Sequence, residues 1–211
     1  MKIGIIGAGR IGSTVGSLWA AAGHSVCFGS RDPGRLAALL AELGAAATSA
    51  SIVEAADFGE VLFAAVPYGA WPQLAKQIES TAAGKPLLDA ANAFAGRDAF
   101  ADAALAACEG SGVPVARLMP GVRLVRAFNA TRWQTLRDQA HRTGERLAIP
   151  LAGDDPAALD AAAGLVRDAG FDPVIVGPLV QAAEFDVRAP AYDNPQTAAQ
   201  LERTLALLPP G

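Results

Sequence analysis

Two rhythms of apolar residues alternate along the chain. Short apolar runs are followed by segments whose apolar positions recur every three or four residues. The short runs predict strands at Lys2–Ile6, Ser25–Gly29, Ala45–Thr48, Val61–Val66, Pro86–Asp89, Arg123–Phe128, Leu147–Ala152 and Asp172–Val176. The longer period predicts helices at Arg10–Ala22, Pro33–Leu43, Ile52–Ala56, Trp71–Ser80, Arg97–Cys108, Trp133–Ala140, Pro156–Ala169 and Gln196–Leu207. Asp155 is placed to cap the helix that opens with Pro156, since an Asp side chain accepts first-turn N–H groups and Pro suits the first turn. Strand and helix in alternation imply an α/β fold: a Rossmann-type doubly wound, mainly parallel sheet with a short C-terminal extension. Val61–Val66 is apolar throughout, as expected of a strand covered on both faces. Residues 1–178 read as the sheet domain. Residues 179–211 read as a loop and helix belonging to the same domain or to a dimer contact.

Length and composition narrow the picture. A chain of 211 residues, 52% hydrophobic, with mean hydropathy +0.27, builds one large domain or one domain with a small appendage. A net charge of −4 and a pI near 5.2 argue against nucleic-acid binding, which needs a basic face. The first 23 residues have the outline of a leader, but glycines and Arg10 interrupt the apolar run. No run reaches the roughly 18 apolar residues of a membrane span, so a soluble, cytoplasmic protein is expected. Cys27 and Cys108 form no CxxC and read as buried free thiols. His24 and His141 lie in turns and form no metal motif, and no metal is expected.

The chemistry concentrates at strand ends. The first strand runs into Gly7-Ala8-Gly9-Arg10-Ile11-Gly12, and Ile11, Val15, Leu18 and Trp19 then mark one helix face. Strand, glycine turn and helix in that order form a dinucleotide-binding fingerprint. The first glycine makes the turn, the second admits a pyrophosphate and the third lets helix meet strand. The helix N-terminus adds free N–H groups and a positive dipole end. The second strand ends in Ser30-Arg31-Asp32-Pro33-Gly34-Arg35, and Ser30 lies 18 residues after Gly12 (30 − 12). An NAD site carries an acid near that place. A hydroxyl with Arg31 and Arg35 suits a 2′-phosphate, so NADP(H) is the expected cofactor. The same arginines also fit a solvated helix start. Asp32 is either a displaced ribose acid or, as preferred here, the cap before Pro33.

The pattern resembles the coenzyme F420-dependent NADP oxidoreductases over nearly the whole chain. The resemblance rests on the glycine turn, Gly29-Ser30-Arg31-Asp32, Ala65-Val66-Pro67, Ala127-Phe128-Asn129, Ala152-Gly153-Asp154-Asp155, Gly170-Phe171-Asp172-Pro173 and Gly177-Pro178-Leu179. The N-terminal module is also similar to the NADPH-binding domain of STEAP-type ferric reductases. The resemblance implies that Gly7, Ala8, Gly9, Arg10, Ile11 and Gly12 hold the pyrophosphate, and that Ser30, Arg31 and Arg35 hold the 2′-phosphate. It implies that Ala65, Val66 and Pro67 border the nicotinamide ribose, and that Phe128 and Asn129 line the nicotinamide and acceptor pocket. F420 or a flavin would be the co-substrate. The chain departs from the family in having Asn92-Ala93 where Asn-Pro is usual, and in its segment after Leu179.

Hydride exchange between two rings asks a protein to stack them and exclude water, with little acid–base help. Asn92 is expected beside the cofactor, and Tyr68, Phe128, Asn129 and Trp133 in the substrate pocket. Asn129 is the candidate positioning residue, for the carboxamide or merely for a turn. Trp71 and Trp133 fit ring contact and helix packing equally. No Ser-His-Asp set or paired carboxylates suggest hydrolysis, and neither Tyr68 nor Tyr192 lies in a Tyr-x-x-x-Lys arrangement. Two other functions stay open: an NADPH-dependent reductase of a small carbonyl or imine, and a non-catalytic NADP(H) sensor. The expected partner is a small-molecule or ring-cofactor hydride acceptor, with no nucleic acid and no membrane. The apolar positions Leu201, Leu205 and Leu208 on the last helix need cover from this chain or a neighbour, which motivates a homodimer.

Overall fold

In the computed structural model, which describes residues 1–107 and 109–206, an eight-stranded sheet forms the centre of the molecule. Its strands are β1 (Lys2–Ile6), β2 (Ser25–Gly29), β3 (Ala47–Ala50), β4 (Val61–Ala64), β5 (Pro86–Asp89), β6 (Arg123–Arg126), β7 (Ala148–Gly153) and β8 (Asp172–Gly177). They lie in the order β3-β2-β1-β4-β5-β6-β7-β8. The sheet is parallel except for β6 against β7, which run antiparallel with Arg126 opposite Ala152. The helices are α1 (Arg10–Ala21), α2 (Ala37–Leu43), α3 (Ile52–Phe58), α4 (Trp71–Ala82), α5 (Ala99–Ala107), α6 (Gly112–Leu118), α7 (Trp133–Gln139), α8 (Pro156–Asp168) and α9 (Ala198–Ala206).

The sheet is apolar on both faces because helices cover both. One layer packs Val15, Trp19, Phe28, Phe63, Phe128, Ala162 and Val166. The other packs Ala55, Leu62, Trp71, Ile78, Leu87 and Val115. Two helix starts follow from local chemistry. Ser51 accepts from the Glu54 N–H while the Glu54 carboxylate returns to Ser51, closing a capping box at α3. Asp155 accepts from Ala158 N–H at 2.7 Å, with Pro156 at the start of α8.

Several boundaries differ from the sequence reading. The segment read as one helix from Pro33 is a tight 3-10 turn, Pro33–Leu36, followed by α2. Asp32 precedes that turn without a side-chain capping bond. The strand after α2 forms two residues later than expected, at Ala47–Ala50. Helix α6 was not expected at all. The sequence reading places no element between Cys108 and Arg123, and Pro114 stands in the first turn of α6, where a proline loses no helical hydrogen bond. Cys27 is a buried free thiol, whereas Cys108, Leu207 and Leu208 lie outside the described residues.

The C-terminal segment closes on its own sheet. A 3-10 stretch, Leu179–Glu184, leads to Phe185. Phe185 packs with Ala148, Ala152, Val174 and Leu201, and Leu205 of α9 rests on the same cluster. Leu201 and Leu205 thus find their apolar cover within the chain, which removes the motive they gave for a homodimer. Among the described residues, no helix is long and apolar enough to cross a membrane.

Candidate functional site

The register of the parallel strands sets the site. Gly29, Ile6, Ala64, Asp89 and Arg126 pair successively across five adjacent strands and form one row. Beyond that row each chain leaves the sheet as a loop on the same edge: Ser30-Arg31, Gly7–Gly12, Ala65-Val66-Pro67, Ala90–Asn92 and Ala127–Asn129. Strand order reverses between β1 and β4, and open α/β sheets bind ligands at that crevice.

The three glycines of the turn do different work. Gly7 has φ +96°, a conformation that favours glycine, and a Cβ there would lie 2.6 Å from Ala65 O. A Cβ on Gly12 would overlap Gly7 O. A Cβ on Gly9 would meet nothing within 4 Å. Gly9 therefore fronts open space at the N-terminus of α1, where no side chain caps the helix. Free first-turn N–H groups facing an open cradle fit a pyrophosphate. Ser30 is half-buried, and Arg31 and Arg35 are exposed at the end of β2. The Ser30 hydroxyl accepts from Asp32 N–H at 3.1 Å.

Beside this cradle lies a cleft of about 170 Å³, lined by Ile11, Ala90, Asn92, Trp133 and Tyr192, with Phe128–Arg132, Gln134 and Asp193 completing it. Trp133 is half-exposed. The Arg10 guanidinium lies 5.5 Å from its ring centre and the Arg137 guanidinium 5.0 Å. At the rim, Arg132 and Asp193 form an ion pair at 2.5 Å. Tyr192 and Asp193 come from the C-terminal loop, and nothing in their local sequence signals that placement. Burial, and then Asp193, push the Tyr192 phenol up from its ordinary range.

Of the aromatic residues named for the pocket, Tyr68 is core instead, and Phe128 lines the cleft while its ring packs inward. Tyr68 is buried on the opposite side of β4, stacked on Phe100 at 5.1 Å, and its hydroxyl donates to Ser111 O at 2.5 Å. It does not line the cleft. Burial pushes its phenol far above the usual range. The Phe128 ring is likewise internal, packed edge-on against Trp19 at 5.8 Å and Phe63 at 5.7 Å. Its backbone, at φ +61°, turns the chain so that the ring enters the core while its neighbour Asn129 heads for the cleft wall. A left-handed conformation at a bulky residue costs of order 1–3 kcal/mol, and the aromatic cluster offsets it. Trp71 is fully buried in helix packing.

Beneath the cleft lies a buried polar network with no counterpart in the sequence reading. Arg126 is fully buried and donates to Asp89 Oδ2 at 2.6 Å and to Asp186 Oδ1 at 2.9 Å. Burial pushes the Asp89 carboxyl up, opposed by Arg126 and the Ala91 N–H. Burial works against the Arg126 charge, but Asp89 and Asp186 outweigh it and hold the guanidinium protonated. Asn129 Nδ2 donates to Asp186 Oδ1 at 3.0 Å, and Asn92 Nδ2 donates to Asn129 O at 2.9 Å. The Oδ1 atoms of both asparagines are buried without a partner. Among the described residues, no cluster of three or more His, Cys, Asp or Glu side chains is arranged to hold a metal.

Comparison with known proteins bears on this geometry. Residues 2–93 match the family model described as NADP oxidoreductase, coenzyme F420-dependent. Those 92 residues (93 − 2 + 1) make up under half of the 211-residue chain. They span β1 through β5 and contain the glycine turn, Ser30, Arg31 and Asn92. Rat metalloreductase STEAP3 is 30% identical over 188 residues, covering 88% of this chain and 36% of that protein. The Escherichia coli putative protein YjhV is 38% identical over 66 residues, which is 48% of its length. The chain thus spans a third to a half of these curated relatives. A crystal structure of a hypothetical protein from Sinorhizobium meliloti superposes with TM-score 0.81 and 26% identity, covering 93% of this chain and 95% of that one. A putative F420-dependent NADP reductase from Arthrobacter sp. FB24 superposes with TM-score 0.73 at 22% identity, over 87% of both chains. The matches show a Rossmann-type fold, and residues 2–93 are similar to the N-terminal module of that oxidoreductase family.

Proposed function

We propose that the protein passes hydride between NADPH and a ring acceptor of the F420 or flavin type. The observation that carries this reading is the cleft itself. It opens beside the Gly9 cradle, at the ends of β5 and β6, and is walled by an indole and two asparagines.

The residues present fit NADP(H). Gly9 leaves the space and α1 the free N–H groups for a pyrophosphate, and Ser30, Arg31 and Arg35 would hold the 2′-phosphate. The two unpartnered amide oxygens of Asn92 and Asn129 would meet a carboxamide. When bound, the cofactor supplies a hydride from its nicotinamide ring. The chain's part is positional. Arg10 and Arg137 bracket Trp133 and hold the indole as a fixed wall, while Ile11 and Ala90 exclude water. Preorganised stacking of two rings is the main help such a transfer needs, since no proton must move in the same step.

A reductase of a small carbonyl or imine is the second reading, favoured by one observation. Tyr192 brings a phenol to the cleft, a candidate proton donor to a developing alkoxide or amine. Stopped-flow mixing of NADPH-loaded protein with F420, FMN, FAD and a panel of small carbonyls and imines separates the two. Oxidation of NADPH by F420 or a flavin is expected. Oxidation by carbonyls or imines alone would replace the first reading with the second.

A further inference from the structure

We infer that Asp186 is a positioning residue that fixes the polarity of the Asn129 amide, so that the cleft wall presents two carbonyl-type oxygens to an N–H2 donor. The inference rests on the NADP(H) reading above and identifies that donor as the carboxamide of the nicotinamide.

An amide side chain has a donor end and an acceptor end, and its orientation follows from its partners. Asn129 lies 3% exposed. Its Nδ2 faces Asp186 Oδ1 at 3.0 Å and Phe185 O at 3.5 Å. Both are acceptors only, so the nitrogen must point at them and Oδ1 must point away. Asn92 is fixed by the same logic: its Nδ2 faces Asn129 O at 2.9 Å, leaving its Oδ1 as an acceptor. Both oxygens lack a partner within the protein, and both asparagines line the cleft. A buried acceptor without a donor is costly. Two of them in one wall match the two hydrogens of a single primary amide, which a small shift of the wall on ligand entry would admit.

Asp186 is suited to this task because it is surrounded by donors. Its Oδ1 accepts from Arg126 Nη2 at 2.9 Å as well as from Asn129, and its Oδ2 accepts from Ser111 N–H at 2.6 Å. An alanine at 186 removes the acceptor altogether. Asn129 Nδ2 is then left with Phe185 O at 3.5 Å, and nothing holds its amide in one orientation.

The test compares binding of NADP⁺ with that of its 3-acetylpyridine analogue, in which a methyl replaces the carboxamide NH2. Calorimetric titration of the wild-type protein should show NADP⁺ binding roughly 5- to 150-fold more tightly, as expected for two net hydrogen bonds. Asp186→Ala should lower that ratio by the share that Asn129 contributes, while the preference for NADP⁺ over NAD⁺ stays as in the wild type. A merely structural role would lower both affinities and leave the ratio intact. Asn92→Ala, at a half-exposed position, should also lower the ratio, and a ratio that it leaves unchanged overturns the two-oxygen wall even if Asp186→Ala does not fold. A wild-type ratio of one, or a wild-type ratio retained in the folded variants, overturns the inference. A protein that shows the ratio but oxidises NADPH with no acceptor supports the amide assignment and sinks the hydride-transfer reading instead.

Discussion

Asp89 and Arg126 meet at 2.6 Å across the ends of neighbouring parallel strands, and neither side chain touches solvent. Their strands are paired with these two residues directly opposite, so the ion pair locks the last rung of the row from which the site's loops depart. Removing one member of a buried pair leaves the other charge uncompensated, at about 3–5 kcal/mol. Asp186 still faces Arg126 at 2.9 Å in Asp89→Ala and offsets part of this, so unfolding free energy in urea should fall by about 1–3 kcal/mol. A loss under about 1 kcal/mol would show that water or Asp186 alone satisfies the guanidinium.

Gly9 and Gly12 share a motif but not a constraint. Gly12→Ala drives a methyl into Gly7 O and should destabilise the fold by about 1–3 kcal/mol, as overpacking does. Gly9→Val places its side chain in open space. It should melt like the wild type and lose NADPH binding, because the valine occupies the volume a pyrophosphate would take. Paired melting curves and cofactor titrations check this contrast. Normal NADPH affinity in folded Gly9→Val would remove the phosphate assignment from this turn.

The difference between those glycines shows what sequence can and cannot convey. The order of strand, turn and helix is local, so β1, α1 and β2 were legible with their ends nearly in place. The apolar run Leu147–Ala152 marked a strand, but an apolar run reads the same in either direction, and the antiparallel pairing of β7 was invisible. Tyr68 and Trp133 both follow strand ends and both are aromatic. Only the three-dimensional path sends one into the core beside Phe100 and the other to the cleft. The Arg126–Asp186 pair spans 60 residues and joins a strand end to a loop without a motif. Charge pairing at that range has no local periodicity to betray it. Arg31 and Asn129, by contrast, could be placed at strand ends early, because the strands before them are marked locally by their apolar runs.

Tyr68 gives a direct check on its relocation from pocket to core. Tyr68→Phe removes the hydrogen bond to Ser111 O and leaves a buried carbonyl short of a donor, at about 1–3 kcal/mol. Cofactor affinity should not change. Burial raises the phenol's pKa in the folded state, whereas the unfolded chain releases that proton near its ordinary value of about 10. Above that pH the native state holds one more proton than the unfolded state, so stability falls as pH rises. The phenylalanine variant should show a shallower alkaline fall in denaturation experiments. A drop in NADPH affinity would return Tyr68 to the site.

On the proposed reading, Arg31 chooses between the two nicotinamide cofactors. It stands exposed at the end of β2, one residue past Ser30, where a 2′-phosphate would lie. A charge-assisted hydrogen bond contributes about 1.5–3 kcal/mol, which is roughly 10- to 150-fold in affinity. Arg31→Ala should weaken NADPH by a factor in that range and leave NADH nearly unchanged. Because the arginine is solvated, the loss should shrink as ionic strength rises and screening shortens the reach of its charge. Titrations of both cofactors at low and high salt measure this. Equal weakening of NADPH and NADH would mean that Arg31 serves the fold of the β2 end and not the 2′-phosphate.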